Sequence, residues 1–181
     1  MLTDAEKKEL LRIARNNLES AVKGTPKPES RVMSETLGQE RGVFVTLKKQ
    51  GDLRGCIGYI QPVKPLYIAV GEMAVSAGTG DPRFSPVGEN ELSDITIEIS
   101  VLSPMKQIKD VEEIEVGRDG IYIVKDYYSG VLLPQVATEH DWDGERFIEE
   151  TCLKAGLPPD AWQKGAQIYS FSADIFRETD G

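Results

Sequence analysis

The stretch Leu53-Arg54-Gly55-Cys56-Ile57-Gly58-Tyr59-Ile60 is an apolar run interrupted by two glycines, and it holds one of the chain's two cysteines. A plain core strand prefers branched side chains at such positions, because each glycine weakens the strand and packs nothing. The glycines therefore mark a need for room. Gly42-Val43-Phe44-Val45-Thr46-Leu47-Lys48 precedes the run, followed by Lys49-Gln50-Gly51-Asp52. This order reads as strand, polar turn, strand: a β-hairpin with a glycine-containing loop.

Alternation with period two sorts the side chains. Leu53, Gly55, Ile57 and Tyr59 fall on one face, and Arg54, Cys56, Gly58 and Ile60 on the other. Arg54 and Cys56 are then same-face neighbours, roughly 6.6 Å apart along the strand. A guanidinium at that range favours thiolate over thiol. Gly58, next on that face, leaves open space beside the sulfur. Two readings of the run follow. In one it is a thiol or anion site on a strand surface. In the other, Cys56 is a small buried hydrophobe, and the glycines permit close backbone packing or a bulge.

The hexapeptide Leu53-Arg54-Gly55-Cys56-Ile57-Gly58 matches the LRGCIG motif of the AMMECR1 domain family. The resemblance continues at Asp81-Pro82-Arg83-Phe84, Leu132-Leu133-Pro134-Gln135-Val136-Ala137, Trp142-Asp143 and Lys154-Ala155-Gly156, and so spans nearly the whole chain. It implies a compact α+β protein: residues 1–181 as a single domain of two intertwined lobes with a cleft between them. It implies no established reaction. In prokaryotes, relatives of this family occur beside or fused with Memo-like and radical-SAM proteins, so the resemblance implies a shared pathway with such partners. One departure stands out. The family more often carries glycine just before the tryptophan, where this chain has Asp141.

The 181 residues are 40% hydrophobic and 28% charged, enough chain for a real core and an ordinary balance for a globular protein. No run of about 18 apolar residues suggests a membrane span. The opening Leu2-Thr3-Asp4-Ala5-Glu6-Lys7 lacks a signal peptide's apolar segment, so a cytoplasmic protein is expected. The net charge of −9 argues against broad nucleic-acid binding, which depends on neutralising phosphates. His140 is the single histidine, and no CxxC or HxxxH spacing occurs, so no conventional zinc site is expected. No cofactor is implied.

Along the chain, Thr3-Asp4-Ala5-Glu6 predicts a capping box opening a helix over residues 3–22, with Leu10, Leu11, Ala14, Leu18, Ala21 and Val22 as its apolar stripe. Residues 29–41 read as a short helix from Ser30 or as a loop. A second helix runs from Leu66 to Ala77. Asp81-Pro82-Arg83-Phe84-Ser85-Pro86-Val87 is a proline-punctuated loop with two readings: a ligand-contact segment with Arg83 facing the cleft, or a structural loop in which Asp81 caps locally, Phe84 plugs the core and Arg83 pairs with a carboxylate. Asp94 to Leu102 alternates as a strand, with Ile95, Ile97, Ile99 and Val101 inward. A second hairpin follows over residues 121–133. A helix capped by Asp143 runs from Gly144 to Ala155, and Cys152 sits on its inner face. Gln167 to Arg177 is a long strand, with Tyr169, Phe171, Ala173 and Ile175 on one side. This order lacks strict βαβ alternation. It predicts an α+β fold with a mostly antiparallel sheet flanked by helices, and lobe boundaries near 24–41 or 103–118.

The candidate catalytic residues are Cys56 and Glu98. Glu98 lies on the polar side of its strand. It would pair with Arg54 or act as a general base if its face joins that of Cys56; otherwise it is an exposed strand charge. Arg54, Arg83 and Gly58 are the candidate substrate-binding residues. Three functions fit. The first is an enzyme component using Cys56 as nucleophile or redox thiol. The second is an interaction module for Memo-like or radical-SAM partners. The third is a non-catalytic binder in which Arg54 and Arg83 form a fork for a small anion. His140 is not placed with Cys56.

Overall fold

The computed structural model describes residues 2–32 and 34–180. The chain folds as two compact units, one formed by Met1–Val101 with Asp174–Gly181, the other by Leu102–Ala173. The 24–41 segment lies inside the first unit and is no boundary.

The first unit begins with helix α1 (Asp4–Lys23), whose N-terminus is closed by the Thr3/Glu6 capping box. Its buried side is Leu10, Ile13, Ala14, Asn17 and Leu18. Ala21, expected inside, is exposed. Short helix α2 (Glu35–Gly38) is capped by Ser34 rather than Ser30. The hairpin is strand β1 (Val43–Lys49) and strand β2 (Asp52–Tyr59). Its turn carries Gln50 and Gly51 at positive φ, which matches the twist of the flanking strands. Helix α3 (Leu66–Thr79) and strand β3 (Ile95–Leu102) complete the unit, with a 3-10 turn over Glu89–Asp94 between them.

The strands run in the order β2-β1-β3, and β1 pairs antiparallel with both neighbours. One face carries Val43, Val45, Leu47, Ile97, Ile99 and Val101, all fully buried in a core shared with α1 and α3. Each such aliphatic side chain contributes about 1.5–3 kcal/mol by leaving water. Gly55 lets α3 approach this face. A Cβ there would stand 2.1 Å from the Ala77 carbonyl oxygen. Arg15 ties α1 to the sheet through the Leu92 and Ile95 carbonyls and Glu178.

The second unit contains strands β4 (Lys106–Ile108), β5 (Asp119–Lys125) and β6 (Tyr128–Leu132) and helices α4 (Pro134–Glu139) and α5 (Gly144–Lys154). Strand β7 (Gln167–Arg177) has β4 and β5 as antiparallel partners, and β6 pairs with β5. Phe147, Ile148 and Cys152 of α5 are fully buried in its core. Strand β4 was not legible as a strand, because three residues offer no alternation to read. Asp141 has φ of 54°, a left-handed conformation that explains why glycine suits this place and why Asp can replace it.

β7 does not keep one buried face. Ile168 belongs to the second unit's core and Phe176 to the first, while Tyr169 is only partly buried. One long strand serves two cores, so a single inside and outside does not hold along it.

Candidate active site around Cys56

Cys56 is half-buried on β2, the edge strand of its unit, and forms no disulfide. Its amide donates to Asp81 Oδ2 at 2.9 Å, and its carbonyl accepts from Arg83 Nη2 at 3.3 Å. Both backbone groups therefore point away from β1. That makes Cys56 and its partner Thr46 a non-hydrogen-bonded pair, the type with side chains closer together and Cα atoms about 4.5 Å apart. Thr46 Oγ1 accordingly donates to Cys56 Sγ at 3.3 Å.

Glu98 faces Thr46 from β3. Cys56, Thr46 and Glu98 thus form one row across three strands. Successive pair types alternate, which puts the Cys56 and Glu98 Cα atoms about 10 Å apart. Thr46 stands between them. Ser100 follows Glu98 on the same side of β3. Thr46, Glu98 and Ser100 are 6%, 2% and 0% exposed. Ser100 Oγ is buried without a hydrogen-bond partner among the described residues. Burying a hydroxyl that way costs about 1–3 kcal/mol, so this polar face is not what stability alone would select.

Glu98 is neither an exposed strand charge nor a partner of Arg54. Its Oε2 accepts from Arg177 Nε at 2.6 Å and lies 3.5 Å from Lys48 Nζ. Arg54 instead binds Glu91 through two contacts, Nε at 3.1 Å and Nη2 at 3.0 Å, and donates to the Ser85 and Pro86 carbonyls. The reason is a β-bulge. Leu47 pairs with Gly55 and Lys48 with Leu53, so Arg54 has no partner of its own. The extra residue breaks strict alternation and turns Arg54 toward the 85–91 segment. Its side chain is 13% exposed. Glu91 is held down to about 2, first by Arg54, then by the Gly88 amide and Lys49.

Arg83 is different. Asp81 is buried, with its side chain 1% exposed, and accepts from the Arg83 amide, Nε and Nη2 at 3.1, 3.0 and 2.7 Å. The Arg83 hydrogen bonds, foremost, hold this carboxyl far below the usual carboxylate range. Arg83 in turn is raised above its ordinary value, mainly by Asp81 and in smaller part by the Cys56 sulfur. The rest of its guanidinium reaches solvent, at 55% side-chain exposure. Its Cζ lies 5.5 Å from the Phe84 ring centroid, and that of Arg54 lies 6.0 Å from the same ring.

Gly58 does not leave a void beside the sulfur. A Cβ there would meet the Phe44 ring at 2.4 Å and the Val43 carbonyl at 2.4 Å. The room is already taken by Phe44, the cross-strand partner of Gly58. The sequence does not single out Thr46 or Glu91, and it marks Asp81 only as a local cap in the Arg83 loop. Thr46 had a signal, as the one polar residue within Val43-Phe44-Val45-Thr46-Leu47. Asp81 precedes a proline two places before Arg83. Glu91 had no legible signal.

Among the described residues, no group of three or more His, Cys, Asp or Glu side chains is placed to hold a metal ion. No helix among them is long and apolar enough to cross a membrane. His140 stacks on Trp142 in the second unit, with ring centroids 4.6 Å apart.

The chain belongs to the AMMECR1 family, whose model matches residues 11–176. A protein of Methanothermobacter thermautotrophicus is 47% identical over 188 residues, covering 98% of this chain and 96% of its own. Protein MK0488 of Methanopyrus kandleri is 46% identical, covering 99% and 91%. The crystal structure of the uncharacterized protein PH0010 from Pyrococcus horikoshii superposes with a TM-score of 0.89 at 41% identity, covering 93% of this chain and 89% of that one.

Proposed function

We propose that this protein is a thiol-dependent component of an enzymatic pathway, with Cys56 as its reactive centre. The observation that carries the reading is the Thr46 Oγ1–Cys56 Sγ hydrogen bond on a buried polar sheet face. Thr46 donates to the sulfur and favours its anionic form. Arg83, locked to Asp81 and to the Cys56 carbonyl, is the cation beside the thiol with exposed donors. It binds an anionic group of the substrate. Glu98 supplies a fixed negative charge on the far side of Thr46, its carboxylate held by Arg177 and Lys48. Arg54 and Gly58 support the site by anchoring the loop and seating Phe44. Memo-like or radical-SAM proteins act in the same pathway in this scheme, which is what the family resemblance suggests for them.

The exposed Arg83 also favours a second reading, a non-catalytic anion binder. One experiment separates the two. In a Cys152→Ser background, the alkylation rate of Cys56 is measured from about pH 5 to 9, the range that spans ordinary and activated thiols. The thiol reading expects labelling of the folded protein already at the acidic end, slowed by Thr46→Val. No labelling until unfolding removes the thiol reading and leaves the binder.

A further inference from the structure

The Cys56 chemistry does not use a groove elsewhere in the first unit. It measures about 420 Å³ and is bounded by the end of α1 (Asn17, Ser20), the loop carrying Lys27, and α3 (Gly71, Glu72, Ser76). That size falls within the range of small-molecule sites. A neighbouring hollow of about 210 Å³ shares Asn17, Lys27 and Gly71 with it.

Asn17 forms the floor. It is 4% exposed on the core side of α1, where a leucine would be expected, and it lines both hollows. One Nδ2 hydrogen is given to the Ile13 carbonyl at 2.9 Å. Its other N–H and its Oδ1 have no protein partner among the described residues, and the residue lines both hollows. Gly71 makes this possible. A Cβ there would lie 3.0 Å from Asn17 Nδ2 and 3.3 Å from Oδ1. The glycine keeps the carboxamide flat against α3.

The charges are unequal. Glu72 on the wall is already neutralised by Lys64, whose ammonium lies 2.5 Å from Oε2 and 5.9 Å from the Tyr59 ring centroid. Lys27 has no acidic partner among the described residues. It sits in Pro26-Lys27-Pro28, where two prolines restrict the backbone that carries it. The groove thus offers one unpaired cation, one buried carboxamide and an apolar wall of Met73 and Val75.

We propose that this groove binds a small carboxylic acid that also carries an amide group. The carboxylate meets Lys27, the amide pairs with the Asn17 carboxamide, and the hydrocarbon part lies on Met73 and Val75. Saturation-transfer NMR on the full chain tests this with N-acetylglycine, N-acetyl-L-alanine and N-acetyl-L-leucine, each beside its neutral methylamide. The acids show transfer, and the methylamides bind about tenfold more weakly, the ratio that loss of one charge-assisted contact gives. Lys27→Glu and Asn17→Leu remove the signal, and Cys56→Ser leaves it unchanged. Lys27 is exposed, so its variant keeps the fold even where Asn17→Leu does not. No transfer from any acid, equal transfer from acid and methylamide, or binding that survives Lys27→Glu overturns the proposal. None of these outcomes bears on the thiol site.

Discussion

Asp81 Oδ2 accepts the Cys56 amide at 2.9 Å while the same carboxylate holds Arg83, whose Nη2 returns to the Cys56 carbonyl. A buried acid and an arginine together replace the strand that β2 lacks on its free edge. Edge strands left open invite pairing with other chains. Here the cover is two side chains, and it brings a guanidinium to the Cys56 backbone.

Asp81→Ala removes the acceptor for one backbone amide and three Arg83 donors. The expected loss of stability is about 2–4 kcal/mol, since a buried carboxylate with several partners is replaced by nothing. Urea unfolding measures it. An unchanged midpoint would mean that the edge cover is incidental.

Gly55→Ala places a methyl 2.1 Å from the Ala77 carbonyl oxygen, a backbone atom that cannot swing aside. Overpacking of this kind costs about 1–3 kcal/mol or more. Gly51→Ala meets no neighbour within 4 Å and is strained only by its φ of 90°. Thermal melts of the two should rank Gly55→Ala as the worse.

Acid sensitivity follows from Glu91. Its folded value is about 2, below the ordinary value of about 4.3 for Glu. A depressed carboxyl contributes stability above its unfolded value and loses it as pH falls toward the folded one. The wild type should therefore weaken between about pH 4 and pH 2. Glu91→Gln should be less stable at neutral pH and show a shallower fall across that window. Melting temperatures at both ends decide it.

Cys152 should resist reagents that reach Cys56. It is fully buried, and burial, first among the causes, pushes its thiol up. In Cys56→Ser, labelling should begin only on unfolding, read by mass spectrometry along a denaturant series.

Local patterns carried much of this fold. The Thr3 box, the Gln50-Gly51 turn, the Ile95–Val101 alternation and the Asp143 cap each depend on residues a few places apart, so composition and spacing were enough to place α1, the hairpin, β3 and α5. The LRGCIG stretch likewise pointed to its own strand and to Cys56. Only tertiary structure decided which side chains meet there. The bulge at Arg54 adds one residue and redirects its guanidinium to Glu91, 37 positions away in sequence. Strand order places Thr46, not Arg54, beside the sulfur, and buries Glu98 against Arg177 from the last strand. Register and strand order arise from contacts distant along the chain, and no local period encodes them.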